Sequence, residues 1–351
     1  MRRALRLASR GRGATSPNPM VGATVVSADG TVVGDGWHQR AGSPHAEVHA
    51  LAAAGARASG ALLVCTLEPC CHHGRTGPCV ERIVEAGIRQ VVAATEDPNP
   101  LVAGRGVEYL RAHGVEVTIG PLAAEARRLN AVFFTWIRQG RPYVVAKAGL
   151  SLDGCLAASP GVRTEITSPS ARRAAQRLRA ELDALAVGAG TILADDPMLT
   201  VREVYRRRPL ARVILDRRLR VAPTARVFST LDQGPVLVVT TEAAATSPAA
   251  RALEAGGATV VATSGTLPGA LRALADRGIC SVLLEGGSTV HRAARDADMI
   301  DRVVMHVAPH TLGRGGAFLE DALPPLGALC EVRVSQCGPD VVIDGYVHRP
   351  D

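Results

Sequence analysis

The chain has 351 residues, enough for two domains of ordinary size. Hydrophobic residues make up 47% of it and charged residues 21%, but aromatic residues only 3%, so the cores must consist of Val, Leu, Ile and Ala. The net charge of +7 is spread along the chain, which argues against a nucleic-acid partner and suits a small anion. No apolar run predicts a membrane span or a secretion signal, so we expect a cytoplasmic protein.

The first part of the chain alternates strands and helices. Ala4, Leu5 and Ala8 at helical spacing predict a first helix, and Ala28-Asp29-Gly30 is typical of a hairpin turn. Such alternation favours a mainly parallel sheet covered by helices on both faces. The predicted strands are 21–27, 31–36, 61–67, 88–94 and 115–119, and the predicted helices are 1–12, 44–56, 78–86, 107–113 and 123–138.

A domain boundary is predicted after residue 140. The run Gln139-Gly140-Arg141-Pro142 interrupts the helical pattern, and an apolar strand begins directly after it. We therefore expect two α/β domains, 1–140 and 141–351. The strands predicted for the second are 143–148, 184–188, 211–215, 236–240, 259–263, 281–285 and 302–307.

Four residues in the first domain indicate a catalytic zinc site. His45-Ala46-Glu47 lies at the start of the predicted helix 44–56, and Pro69-Cys70 is followed nine positions later by Cys79. Zinc binds imidazole nitrogen and thiolate, and catalytic sites use three protein ligands with one position open. His-x-Glu followed by Pro-Cys-x-x-Cys is typical of zinc deaminases, in which the Glu transfers protons and is not a ligand, although here eight residues separate the two Cys instead of two.

Three other classes of function are weighed against this interpretation. A structural zinc site that also uses Cys71, His72 or His73 has no need of Glu47, because structural sites are closed and four-coordinate. A nucleic-acid deaminase more often has Cys-x-x-Cys spacing and a concentrated basic face. A zinc-stabilised binding module without activity is separated from an enzyme by whether Glu47 is required.

Long runs of sequence surround these residues. They are 17–22 (PNPMVG), 36–42 (GWHQRAG), 45–51 (HAEVHAL), 67–79 (LEPCCHHGRTGPC) and 97–106 (DPNPLVAGRG). In this order they resemble the RibD family of bifunctional riboflavin biosynthesis proteins. The resemblance covers essentially the whole chain and implies an N-terminal cytidine-deaminase-like α/β/α sandwich, a zinc-dependent pyrimidine deaminase domain. It implies His45, Cys70 and Cys79 as zinc ligands and Glu47 as proton shuttle, and it excludes Cys71. The substrate contacts that it implies are Asn18, His38, His72 and Arg75.

The second domain gives a weaker signal by itself. It has glycine-rich strand ends but no complete Gly-x-Gly-x-x-Gly fingerprint. The runs 147–154 (KAGLSLDG), 190–197 (GTILADDP) and 285–287 (EGG) extend the RibD resemblance. They imply a C-terminal dihydrofolate-reductase-like α/β domain that uses NADPH. The implied substrate contacts are Lys147 and Glu285 at the pyrimidine and Arg163, Leu199 and Arg202 at the ribose phosphate, and the implied cofactor contacts are Gly149, Glu165, Thr191, Asp195, Gly287, Ser288 and Thr289.

One position departs from the family pattern. The family usually has tryptophan just before Ile166-Thr167, whereas this chain has Glu165. A negative charge beside an anionic cofactor weakens binding unless the loop is rearranged. The alternative is that the substitution is tolerated drift with no functional effect.

The resemblance implies two consecutive reactions. The first is the zinc-dependent hydrolytic deamination of 2,5-diamino-6-(5-phosphoribosylamino)pyrimidin-4-one, and the second is the NADPH-dependent reduction of the ribosyl group to ribityl. A paralogue that deaminates a related pyrimidine or purine nucleotide, with an altered reductase domain, is the alternative. We expect a small nucleotide substrate, no nucleic-acid or membrane partner, and self-association as a homo-oligomer.

Overall fold

A computed structural model describes residues 1–72, 77–313 and 315–349. The chain divides into two compact units, Met1–Gly140 and Arg141–Arg349. Gly140 ends the last helix of the first unit with a left-handed backbone, φ 61°. Within the described ranges, no helix combines the length and the apolar character needed to cross a membrane.

The first unit is a sheet flanked by helices. Its sheet has the order β2-β1-β3-β4-β5. The strands are β1 (Gly22–Val26), β2 (Val32–Trp37), β3 (Leu62–Cys65), β4 (Gln90–Ala93) and β5 (Glu116–Ile119). The helices are α1 (Arg2–Ser9), α2 (Ala46–Ala54), α3 (Cys79–Glu85), α4 (Arg105–Ala112), α5 (Ala123–Leu129) and α6 (Ala131–Gln139), and Gly55–Ala58 forms a short 3₁₀ turn.

The prediction of a mainly parallel first sheet is wrong for its β1 side. Strand β1 runs antiparallel to both β2 and β3, whereas β3, β4 and β5 are parallel. The predicted hairpin between β1 and β2 is confirmed, and a short turn of this kind reverses the chain and excludes parallel pairing.

The predicted helix 123–138 is two helices that meet at Asn130. The backbone of Asn130 leaves the helical region, with φ −104° and ψ 21°. Its buried side chain accepts a hydrogen bond from Met20 N at 2.7 Å and donates one to Met20 O at 2.9 Å. An amide side chain that offers such partners competes with regular helix, so the break is not visible in the apolar periodicity.

The second unit is built on a larger sheet with the order β11-β10-β9-β8-β12-β6-β13-β16-β15, beside which β14 pairs with β7. The strands are β6 (Tyr143–Leu150), β7 (Cys155–Ala157), β8 (Ala184–Gly188), β9 (Ala211–Leu215), β10 (Val236–Thr241), β11 (Thr259–Thr263), β12 (Ser281–Leu284), β13 (Arg302–Val307), β14 (Ala317–Phe318), β15 (Cys330–Cys337) and β16 (Asp340–Tyr346). The helices are α7 (Pro169–Glu181), α8 (Ala189–Asp195), α9 (Glu242–Ala245), α10 (Pro248–Ala255), α11 (Leu267–Ala275) and α12 (Ser288–Asp296), with 3₁₀ turns at Arg226–Gln233 and Leu326–Ala328.

Seven neighbouring strands of this sheet are parallel: β11, β10, β9, β8, β12, β6 and β13. Strands β16 and β15 continue the sheet as an antiparallel hairpin. The predicted α/β class is confirmed, and 184–188, 211–215, 259–263 and 302–307 are strands with the predicted bounds. The sequence prediction missed β15 and β16. Val332 and Val334 of β15 are exposed, so the strand lacks the buried apolar face that identifies an ordinary strand.

A buried ion pair fixes the start of the second unit. Both terminal nitrogens of Arg141 donate to the Asp301 carboxylate at 2.7 Å, and Asp301 also accepts from Val144 N at 2.7 Å. Arg141 and Asp301 are 8% and 3% exposed. The pair thereby ties the first residues of β6 to the residue before β13.

Replacing Asp301 by Ala should destabilise the second unit by about 3–5 kcal/mol, because it leaves a buried guanidinium without its anion. The free energy of unfolding, measured with a chemical denaturant, tests this. The exposed Asp276→Ala is the control and should change it by less than about 0.5 kcal/mol. Equal effects of the two substitutions would contradict the assignment.

Candidate active sites

The predicted zinc ligands of the first unit lie together. His45 is the residue before α2, Cys79 is the first residue of α3, and Cys70 follows β3 in a loop. His45 Nδ1 lies 3.2 Å from Cys79 Sγ and 3.4 Å from Cys70 Sγ. The three ligand atoms all lie within 4.8 Å of one another. Tetrahedral zinc with ordinary bond lengths separates nitrogen and sulfur ligands by about 3.5 Å, so the group fits this metal.

The pKa values of Cys70 and His45 favour the binding of a metal cation by this group. A hydrogen bond from Cys79 and a second from His45 lower the pKa of the Cys70 thiol to about 4. The hydrogen bond to Cys70 raises the pKa of His45 to about 9. Cys70 is therefore a thiolate held beside two proton donors, and these are the positions that a metal ion would occupy in place of the protons.

Glu47 lies beside the group but is not among its ligands. It is the second residue of α2 and only 3% exposed. Its Oε2 atom is buried and has no hydrogen-bond partner within the described part of the chain. Burial raises its pKa to about 7. A carboxyl group that is half protonated near neutral pH is suited to exchange protons with a substrate.

His38 lies next to His45, and Asn18 contacts His38. The rings of His38 and His45 meet edge to face at 5.5 Å. His38 Nδ1 lies 3.2 Å from Pro44 O, and Asn18 Nδ2 lies 3.1 Å from His38 Nε2. Since a carbonyl only accepts, Nδ1 carries the proton and Nε2 accepts from Asn18. Burial lowers the pKa of His38, which is consistent with this neutral tautomer.

His72 also offers an unused polar atom, because its Nδ1 is buried without a partner among the described residues. Arg75, the predicted phosphate contact, lies outside the residues that the structure describes.

Sequence reasoning missed Glu68, which organises the loop around Cys70. Its buried carboxylate accepts from the backbone N–H groups of Asp97, Gly104, Gly106 and Val107 at 2.9–3.2 Å. A Cβ on Gly106 would lie 2.2 Å from Pro69 O, so only glycine permits this approach. The fixed Glu68-Pro69 segment then leads directly into Cys70.

The predicted reductase residues surround one cavity of about 1780 Å³ in the second unit. The cavity lies at the carboxyl ends of β6, β8, β9, β10, β11 and β12, where ligands bind in open α/β sheets. Every predicted contact of this unit lines it: Lys147, Gly149, Arg163, Glu165, Thr191, Asp195, Leu199, Arg202, Glu285, Gly287, Ser288 and Thr289.

Arg179 was not predicted, yet it pairs with Glu285 in this cavity. Its Nε and Nη2 atoms donate to the two carboxylate oxygens of Glu285 at 3.1 and 2.5 Å. Burial opposes the charge on Glu285, but the charges of Arg179 and Lys147 outweigh it and lower the pKa of Glu285 to about 2. Burial also lowers the pKa of Lys147. The charge of the Glu285 carboxylate is thus compensated by Arg179 and Lys147 in the cavity wall.

The cavity also has the features of an anionic cofactor site. Gly188 and Gly287 precede α8 and α12, so the first N–H groups of both helices lie at its wall. Arg217, Arg218 and Arg220 line it beyond β9 and were also missed by the sequence analysis. Their signal was their position directly after a predicted parallel strand.

Glu165 lies on the cavity wall with its charge partly compensated. Arg172 Nη1 donates to Glu165 Oε2 at 3.1 Å and to Thr167 O at 3.0 Å. The two side chains are 46% and 67% exposed, so water screens the pair. The loop that carries Glu165 is therefore tied to the first turns of α7.

Comparisons with known proteins agree with both units. A family model described as the cytidine and deoxycytidylate deaminase zinc-binding region matches residues 1–95, and one described as the RibD C-terminal domain matches residues 142–343. A riboflavin biosynthesis protein RibD of Aquifex aeolicus is 42% identical, over 98% of this chain and 96% of its own. The chain belongs to the RibD family.

Solved RibD structures share the whole fold. RibD of Acinetobacter baumannii is 36% identical and superposes with a TM-score of 0.87, over 98% of this chain and 97% of its own. A Thermotoga maritima protein, named as a diaminohydroxyphosphoribosylaminopyrimidine deaminase/5-amino-6-(5-phosphoribosylamino)uracil reductase, is 35% identical with a TM-score of 0.85, over 99% and 97%. The RibD resemblance seen in the sequence is thereby confirmed, as is the two-part fold class.

Replacing Cys70 by Ser should lower the zinc affinity by roughly 100-fold or more, because one of three thiolate or imidazole ligands is lost. The zinc content of the dialysed protein, measured by elemental analysis, checks this. Cys71→Ser is the matched control, since Cys71 is not in the His45, Cys70 and Cys79 group. Loss of zinc from the control, or its retention in Cys70→Ser, would show that the ligand set is wrong.

Proposed function

We propose that the chain is a bifunctional enzyme of riboflavin biosynthesis, a zinc-dependent deaminase (residues 1–140) joined to an NADPH-dependent reductase (residues 141–351). The observation that carries the proposal is the buried Glu47 carboxyl group, whose Oε2 atom has no hydrogen-bond partner among the described residues, beside the His45, Cys70 and Cys79 group. A separate cavity lined by cations and helix N-termini supports the second activity.

The deaminase acts on 2,5-diamino-6-(5-phosphoribosylamino)pyrimidin-4-one. It replaces the 2-amino group by the oxygen of water, with release of ammonia. When bound, zinc would lower the pKa of water and so supply the nucleophile near neutral pH. Glu47 takes one proton from this water and delivers it to the ring nitrogen, and it then takes the proton of the hydroxyl group added to the ring carbon and delivers it to the leaving amine. Asn18, His38 and His72 orient the ring, and Arg75 pairs with the phosphate through its bidentate fork.

The reductase acts on the product, 5-amino-6-(5-phosphoribosylamino)uracil. When bound, NADPH would supply the hydride that reduces C1 of the opened ribosyl group, and solvent would supply the accompanying proton, to give a ribitylamino product. Lys147 and Glu285 hold the pyrimidine, while Arg163, Leu199 and Arg202 hold the ribose phosphate. The cofactor contacts are Gly149, Glu165, Thr191, Asp195, Gly287, Ser288 and Thr289.

The binding partners that we propose for the enzyme are these small nucleotide substrates. Self-association into a homo-oligomer and a cytoplasmic location stay predictions from the sequence. The relatives reported above are RibD proteins, so they give no support to a specialised paralogue.

A two-stage assay tests both activities. The purified zinc-loaded protein is incubated with the diaminopyrimidinone ribosyl phosphate, ammonia is measured, and NADPH is then added and its oxidation is followed at 340 nm. We expect ammonia first and NADPH oxidation second. No ammonia would refute the deaminase, and ammonia without NADPH oxidation would refute the reductase.

Glu47→Gln should retain zinc and lose about 100- to 10,000-fold in the rate of ammonia release, because the amide cannot accept and deliver the proton. Steady-state kinetics together with zinc content measures this. Glu85→Gln, an exposed position at the end of α3, is the control. Unchanged turnover in Glu47→Gln would reject the proton-transfer role given to Glu47.

Glu165→Gln should tighten NADPH binding about 2- to 5-fold, because it removes a screened negative charge and leaves Arg172 unpaired beside an anion. Fluorescence titration of NADPH measures the Kd. The matched control is Glu203→Gln, since Glu203 also lines the cavity and pairs with an arginine, Arg173, at 3.6 Å. An unchanged Kd in Glu165→Gln would favour the interpretation of Glu165 as tolerated drift.

A further inference from the structure

The segment Asp196–Glu203 follows α8 and adopts an unfavourable backbone conformation. Asp196, Leu199 and Glu203 have φ angles of 39°, 55° and 63°, in the left-handed region that non-glycine residues rarely adopt. Strain of this kind persists only where surrounding contacts hold the chain, and it is concentrated at functional sites. The segment also carries Leu199 and Arg202, the residues that we assign to the substrate phosphate.

Two hydrogen bonds attach this segment to helix α7. Arg202 N donates to Gln176 Oε1 at 2.9 Å, and Arg179 Nη1 donates to Thr200 O at 3.2 Å. Gln176 is 9% exposed and Thr200 is 5% exposed, so both bonds are largely protected from water. Loss of either bond leaves a poorly hydrated backbone group without a partner, which disfavours this loop conformation.

Arg179 connects the two ends of the substrate site. Its Nε and Nη2 atoms hold Glu285, at the pyrimidine end, while its Nη1 atom holds the carbonyl of Thr200, next to Leu199. A guanidinium is planar and its donors have a fixed geometry. One side chain of α7 therefore holds both Glu285 and the segment Asp196–Glu203.

Arg206 donates hydrogen bonds to carbonyl groups at the C-terminal end of α7. Its Nη1 atom donates to Arg179 O at 2.6 Å and to Leu182 O at 2.8 Å, and its Nη2 atom donates to Pro209 O at 3.1 Å. Carbonyls at a helix C-terminus have no partner within the helix, so a cation that binds them stabilises this end.

We propose that Gln176 and Arg206 are positioning residues of the reductase. They hold the strained segment Asp196–Glu203 against α7 and thereby place Leu199 and Arg202 at the phosphate end of the substrate. Gln176 acts on the segment directly, and Arg206 acts through the turn of α7 that carries Arg179. This inference rests on the proposed reductase function, because that function gives Leu199 and Arg202 their role.

The test compares Gln176→Ala with Gln176→Glu in the full-length, zinc-loaded protein. Ala removes the acceptor of the Arg202 N–H group, whereas Glu retains it. We expect Ala to raise the KM for 5-amino-6-(5-phosphoribosylamino)uracil about 3- to 10-fold, the factor that one hydrogen bond contributes. The kcat and the Kd of NADPH should change less than about twofold in Gln176→Ala.

Arg177→Ala is the control on the same helix, since Arg177 is exposed and is not part of this network. Arg206→Met is the second variant and should raise the KM in the same direction. Hydrogen exchange supplies a readout that does not need turnover: the Arg202 amide should exchange faster in Gln176→Ala than in wild type and in Gln176→Glu.

The outcomes separate the inference from the function on which it rests. Wild-type protein that reduces the substrate, together with an unchanged KM and unchanged exchange in Gln176→Ala, would refute the positioning role alone. Wild-type protein that does not reduce the substrate would refute the proposed function. Equal losses in kcat, NADPH affinity and the denaturant midpoint of Gln176→Ala would show a general structural role and overturn the inference.

Discussion

Parallel strands bring their carboxyl ends to one edge of a sheet, and both sites of this chain depend on that constraint. In the first unit, Cys70 follows β3, and the loop that binds Glu68 follows the neighbouring β4. In the second unit, Gly188 ends β8, Asp216 and Glu285 follow β9 and β12, and each lines the same cavity. Residues far apart in sequence are thereby placed within reach of one ligand.

Two buried glutamates show how surroundings decide what a carboxyl group can do. Burial raises the pKa of Glu47 to about 7, against the effect of the His45 charge, and lets it exchange protons. Glu285 is buried between Arg179 and Lys147, whose charges overcome the burial and lower its pKa to about 2. A carboxylate of that kind stays ionised and serves to orient a ligand.

The sequence predicted the residues that line both sites better than the residues that hold them in position. Short patterns such as His45-Ala46-Glu47 reveal their chemistry within a few residues. Buried strands such as β9 are recognised from a run of mostly apolar side chains. Arg179 is different, because it becomes informative only when Glu285, 106 positions away, is placed beside it. Asn130 likewise interrupts a helix through Met20, 110 positions earlier. Local periodicity contains no trace of such partners.

Lys147 carries the only ε-amino group of the protein, and this group lies in the wall of the reductase cavity. Its lowered pKa increases the fraction of neutral, nucleophilic amine at a given pH. Surface lysines usually dominate the reaction of a protein with acylating or carbonyl reagents, but this chain has arginine in their place. A reagent selective for ε-amino groups therefore reports on one cavity, and the fraction labelled measures how far that cavity is filled.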